Sequence, residues 1–256
     1  MSDAKLKVKP FLAGTGQVDQ RDAITRLTLP ATSREIYTDA QLDDYAGMPR
    51  RLFPHRPPIR LSIRARFSSE ALIGTAGFGL WNHPFTPNRG LPTLPRAIWF
   101  FYASPPSNMQ LALDVKGYGW KAAMIDATRP SALAMIPLAP IILVLNRSRK
   151  FYRRVWPIVQ RWLSIAEQAL PNDLMLDWHT YTIDWGIRRA RFSIDDRCVW
   201  ETDRSPRGPL GFVAWIDNQF AVVTPRGQLK SGLLDIPHAQ WLEIKTSEVS
   251  RNTSEV

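Results

Sequence analysis

The run Trp178-His-Thr-Tyr-Thr-Ile-Asp-Trp-Gly-Ile-Arg-Arg-Ala-Arg-Phe-Ser-Ile-Asp-Asp196 decides the fold class. Trp178 to Trp185 reads as one strand, and Gly186 turns it into Arg189-Ala-Arg-Phe-Ser-Ile-Asp195, where apolar and polar residues alternate. Asp195-Asp196-Arg197 turns the chain again into Cys198-Val-Trp-Glu201. Alternation broken by turn residues is the pattern of a three-strand antiparallel meander.

The same period extends outward. In Ile59-Arg-Leu-Ser-Ile-Arg-Ala-Arg-Phe67 every odd position is apolar and every even one is Arg or Ser, as in a strand with one buried and one wet face. Leu210 to Asp217, Phe220 to Val223 and Trp241 to Thr246 are further expected strands, bounded by Pro, Gly and Asn. Gly77 to Trp81, Ala97 to Ala103 and Met109 to Val115 are apolar at both parities and are expected as central strands covered on both faces. Glycine inside a strand marks close approach by a ligand or by a neighbouring side chain, and Gly77 and Gly79 leave both readings open. Many short antiparallel strands predict an all-β two-sheet sandwich.

Residues 128–172 depart from this rhythm. The run from Ser131 to Leu145 is apolar but too short, and too interrupted by proline, to span a bilayer as a helix. A helical pattern follows, with Phe151, Val155, Ile158, Trp162, Ile165 and Ala169 at spacings of four and three, and Pro157 is expected to kink it near Arg153. No acidic residue lies between Ala127 and Ala166. Two readings stand: a basic, Trp-bearing interfacial anchor, or a helical lid packed on the sandwich. The anchor reading names Ile141, Ile142, Leu143, Trp156 and Trp162 as apolar contacts, and Arg149, Lys150, Arg153 and Arg154 as contacts to anionic lipid.

The opening run resembles the W-H-T-Y-x-(I/L)-(E/D)-W … (I/V)-x-F-x-(I/V)-D-G hairpin of family-16 glycoside hydrolases, the laminarinase-like group. Ile59 to Phe67 with Gly77 to Trp81, and the closing runs Leu210 to Asn218 and Trp241 to Glu248, resemble other strands of that family in the same order. The resemblance covers about residues 33–248, leaving 1–32 as an N-terminal extension, 128–172 as a helical insertion and 249–256 as a tail. It implies a concanavalin A-like jelly roll with a concave ligand cleft. That family carries an E-x-D-x-E motif whose two glutamates act as nucleophile and acid/base. In the corresponding run, Ala97, Trp99 and Phe101 occupy the positions of the acids, so classical hydrolysis is expected to be absent.

The residues then offer three functional readings. One is a module binding a glycan or an apolar small molecule on Trp81, Trp99, Phe101, Trp120 and Trp215, with Asn82, His83, Asp217 and Asn218 as polar contacts. Another is an enzyme of different chemistry, a cyclase or isomerase acting on an apolar substrate, with His83 or Asp114 moving a proton. The third is a glycoside hydrolase with relocated carboxylates. His179 is read as part of the fold, and Cys198 as a small apolar filler.

Composition bounds these readings. The chain has 256 residues, 45% apolar and 22% charged, with a single cysteine, which excludes a disulfide framework and a multi-thiolate zinc site. No histidine pair has metal-ligand spacing and no phosphate loop is present, so no cofactor is expected. The net charge of +10 suggests nucleic acid, but no nucleic-acid-binding signature accompanies it, and that partner is not expected. No apolar leader follows Met1, so a cytoplasmic location is expected, with peripheral membrane attachment.

Overall fold

Alternation becomes burial most plainly in the strand Ile59–Phe67, where the five odd-numbered side chains are buried and Arg60 and Arg64 are exposed. The computed structural model describes residues 4–84 and 92–251. An eight-stranded sheet runs in the order Arg197–Thr202, Ala190–Ile194, His179–Trp185, Ile59–Phe67, Gln240–Arg251, Ile24–Leu29 and Gln17–Arg21, with Ala4–Lys5 also paired to Gln240–Arg251. A seven-stranded sheet runs Ala166–Ala169, Gly119–Asp126, Arg96–Ala103, Thr75–Trp81, Gly211–Asp217, Asp39–Asp43 and Lys9–Ala13. All these pairings are antiparallel.

The core lies between the sheets. Leu61, Ile63 and Phe67 meet Phe78, Phe100, Trp120 and Phe212 there, and Tyr181, Trp185 and Phe192 of the meander close it. Burial of this apolar surface, at about 25 cal/mol per Å², is the main force holding the two layers together. The meander forms as expected. Asp195 and Asp196 both take positive φ (48° and 63°), the tight two-residue turn that matches strand twist. His179 Nδ1 lies 2.5 Å from Asp195 Oδ2, while Asp195 Oδ1 accepts the Thr180 N–H, so this histidine ties the hairpin end. The expected concanavalin A-like sandwich is the observed fold.

Five expectations are corrected. Residues 9–29 are no extension, because Lys9–Ala13, Gln17–Arg21 and Ile24–Leu29 pair into both sheets. Met109 to Val115 is not a strand. It is an irregular segment whose Leu111 and Leu113 pack against the helices, with Leu111 O accepting the Trp156 indole N–H at 2.6 Å. The insertion is shorter than expected. Helices Pro130–Ala134, Ala139–Leu145 and Arg149–Trp162, the last containing Pro157, are followed by the edge strand Ala166–Ala169. Cys198 is exposed and fills no core space. Of the expected tail, residues 249–251 belong to the last strand, and 252–256 lie outside the described residues.

Candidate functional site

Sheet parity assigns the outward face of the seven-stranded sheet. Ala76, Phe78, Leu80, Ile98, Phe100 and Tyr102 point into the core, so Thr75, Gly77, Gly79, Trp81, Ala97, Trp99 and Phe101 point away from it. Cross-strand register then builds rows on that face. One row reads Gln41, Trp215, Gly77, Phe101, Lys121; the next reads Asp43, Val213, Gly79, Trp99, Ala123, Glu167. A third carries Asp39, Asp217, Thr75 and Ala103.

The aromatic residues of this face form one cluster. Trp81 and Trp215 are parallel, with centroids 6.4 Å apart and planes at 4°, and Trp99 lies 5.4 Å from Trp215 and 5.6 Å from Phe101. Trp215 donates its indole N–H to Thr75 Oγ1 at 3.0 Å, and Trp81 donates to the Tyr45 hydroxyl at 2.7 Å. Tyr45 also stacks on Phe53 and lies 3.2 Å from His83 Nδ1. The two glycines make room for this cluster. A Cβ on Gly77 would lie 2.4 Å from Phe100 O and 3.1 Å from the Trp215 ring, and one on Gly79 would lie 2.5 Å from the Trp99 Cβ.

Three acids border the cluster. Gln41 donates to Asp43 Oδ2 at 3.1 Å, and Asp43 Oδ1 accepts the Tyr45 N–H. Asp217 Oδ1 accepts from Thr75 N, Thr75 Oγ1 and Gln219 N, while Asp39 Oδ2 accepts the Tyr37 hydroxyl and Asp39 Oδ1 is buried with no partner. Burial raises Asp39 well above the usual carboxylate range and the Asp217 charge adds to the rise; burial pushes Asp217 up to about 7. At the other end of the rows, Lys121 Nζ lies 3.6 Å from Glu167 Oε1 and donates to Lys116 O. Burial lowers the lysine and raises the glutamate, with each partner's charge opposing the shift.

The structure separates the residues expected to act together. Trp81, Trp99, Phe101 and Trp215 are brought together on one face, with His83 at its edge. Trp120 is not among them: it is 1% exposed in the inter-sheet core, edge-on to Phe67 and Tyr181. Asn82 and Asn218 are buried loop clamps. Asn82 bonds Leu94 O and Arg96 N, and Asn218 bonds Ile36 O, Leu234 O and Thr38 N. Asp114 sits on an exposed turn with positive φ, 3.5 Å from Arg153.

Asp39, Gln41, Asp43 and Tyr45 were not anticipated. Their signal is present as Asp39-Ala-Gln-Leu-Asp43, three polar residues at period two, which a search for glutamates passes over. Among the described residues no group of three or more His, Cys, Asp or Glu could hold a metal ion.

The fold is a concanavalin A-like sandwich, a form also found in glycoside hydrolases. Among solved structures the chain is similar to one described as native glycosidic hydrolase, with TM-score 0.52, 11% identity, and 98% of this chain and 95% of that one covered. It is also similar to a prokaryotic β-1,3-1,4-glucanase (lichenase) derived from a mouse hindgut metagenome, with TM-score 0.50, 10% identity and coverage of 92% and 83%. An endo-acting O-glycanase structure from the human gut microbiota gives TM-score 0.50, 11% identity and coverage of 98% and 100%. At such identities the likeness is one of fold. No family model matches the chain, and no curated protein matches it in sequence.

Proposed function

We propose that the chain binds a glycan on the outward face of the seven-stranded sheet and does not cleave it. The observation that carries this reading is the joint placement on one face of the half-buried Trp81 and Trp99 beside the buried Phe101 and Trp215, bordered by the buried Gln41 and Asp43. The C–H face of a pyranose ring stacks on an indole plane through apolar burial and dispersion, while amide and carboxylate groups bond its hydroxyls. The similar solved structures are named for a β-glucanase and an O-glycanase, which makes β-glucans and O-glycans the first ligands to try.

Hydrolysis needs two reachable carboxyls about 5–5.5 Å apart for retention, or about 6.5–9.5 Å apart for inversion. Along one strand Asp39 and Asp43 are about 13 Å apart, and Asp43 and Glu167 are five strands, or about 24 Å, apart. Asp39 and Asp217 are close enough, as register partners. Asp217 Oδ1, however, already accepts three bonds from the protein, and Asp39 Oδ2 accepts the Tyr37 hydroxyl. An acid pair at this position is already engaged within the protein, which supports binding over cleavage. Asp114, on its exposed turn, removes one of the two proton carriers of the cyclase or isomerase reading.

Tryptophan fluorescence during titration with a β-1,3-1,4-glucan oligosaccharide and with a mucin O-glycan tests the proposal. One ligand is expected to change the emission saturably, with Trp99→Ala weakening binding at least about tenfold, equivalent to 1.4 kcal/mol. Emission unmoved by both sugars, or unchanged affinity in Trp99→Ala and Trp81→Ala, would overturn it.

A further inference from the structure

The helical insertion leaves a large apolar surface outside the sandwich. It has its own small core, in which Met135, Trp156, Val159 and Ile165 are buried against Leu111, Leu113 and Ile125. Trp156 therefore faces inward and is lost to any surface role, and Ile142 packs on the same cluster. The opposite side is bare. Ile141 is 59% exposed, Val144 62% and Ile158 55%, and Ile136, Leu138 and Phe151 are also exposed. Exposed apolar side chains this close together mark an interaction surface.

What covers it is indicated by charge. Arg147, Arg149, Lys150, Arg154 and Arg161 are all exposed within the same segment, and no acidic residue lies between Ala127 and Ala166. Of the basic residues on the long helix, Arg153 alone is within salt-bridge distance of an acid, Asp114, among the described residues. Apolar contact plus several unpaired cations is the pair of signals that holds a protein reversibly on anionic lipid, neither being sufficient by itself. Among the described residues no helix is long and apolar enough to cross a membrane.

The hairpin Gln219–Val223 and Leu229–Leu233 extends the surface. Asn146 donates to Pro225 O at 2.9 Å, and the Arg226 guanidinium stands 5.5 Å over the Tyr152 ring, fixing the hairpin to the insertion. The hairpin adds Leu229, 79% exposed, and Lys230. From this composite surface we infer that the chain docks peripherally on an anionic membrane through Ile136–Ile158 and the hairpin tip. This inference is independent of the glycan reading.

Flotation of the whole chain with vesicles of phosphatidylcholine, alone or mixed with phosphatidylserine, tests it. Recovery is expected with the mixed vesicles only and is expected to fall as salt is raised. Arg154→Gln should weaken partitioning about fivefold, the usual effect of one basic residue near such a surface. Ile141→Ser with Val144→Ser should abolish it while the far-UV spectrum and glycan titration remain those of the wild type. Equal recovery on neutral and anionic vesicles, no recovery on either, or unchanged recovery of the variants would overturn the inference. So would binding to RNA without binding to vesicles, or a concentration-dependent dimer that buries the same residues.

Discussion

Asp39 and Asp217 stand opposite each other in register on neighbouring strands, both buried, and the groups that bond them are hydroxyls and backbone N–H groups. Two like charges this close, removed from water, make the protonated forms the stable ones. Their native values lie above the unfolded value of about 4, so the folded state binds protons more tightly. Stability from this pair is therefore fully present below about 4 and lost as pH rises through the raised native values, about 7 for Asp217. Asp39→Asn removes one group and its repulsion. As pH rises from about 4, the stability difference is expected to move progressively in favour of the variant. Urea denaturation at several pH values reads this directly, and parallel profiles for the two proteins would contradict it.

Glu243 presents the reverse situation on the other sheet. Arg26 and Arg66 both bond its carboxylate, at 2.6 Å and 2.8 Å, and both guanidiniums lie over the Trp241 ring. Burial would raise this carboxyl, but the hydrogen bonds from Arg66 and Arg26 outweigh it and hold the group below its ordinary value. Glu243→Gln leaves two partly exposed arginines without their counter-charge. A loss of about 1–3 kcal/mol in urea denaturation is expected, and a change within about 0.5 kcal/mol would show that the cluster contributes little.

At Gly77 packing leaves no room for a Cβ. The Phe100 carbonyl oxygen is backbone and cannot rotate away, so Gly77→Ala must shift a central strand and press on Trp215. The variant is expected to lose about 1–3 kcal/mol and to change its tryptophan emission. Wild-type stability with unchanged emission would contradict the packing account.

The parts of this fold that were legible in the sequence are those where one face is wet. Ile59–Phe67 and the meander after Trp178 alternate cleanly because each buries a single face. Lys9–Ala13 and Gln17–Arg21 were not legible. They are edge strands, almost wholly exposed, and carry no apolar period. Met109 to Val115 misled for the opposite reason: its leucines are buried, but against helices, and burial alone does not distinguish a strand from a packed irregular segment. On the outward face, Trp81, Trp99 and Phe101 were legible from parity within their runs, whereas Trp120, named with them, belongs to the inter-sheet core. Asp217 was among the expected contacts, but its pairing with Asp39 was not legible, because it depends on register between residues far apart in the chain.

The central claim is that this face holds a glycan without cutting it. Equilibrium dialysis of the protein against a β-1,3-1,4-glucan oligosaccharide and a mucin O-glycan, with chromatography of the recovered sugar, tests both halves at once. The account predicts that one of the two is retained by the wild type, that retention is lost in Trp99→Ala, and that the recovered sugar has its original length. Shortened products whose release disappears in Asp39→Asn or Asp217→Asn, or no retention of either sugar, would contradict it.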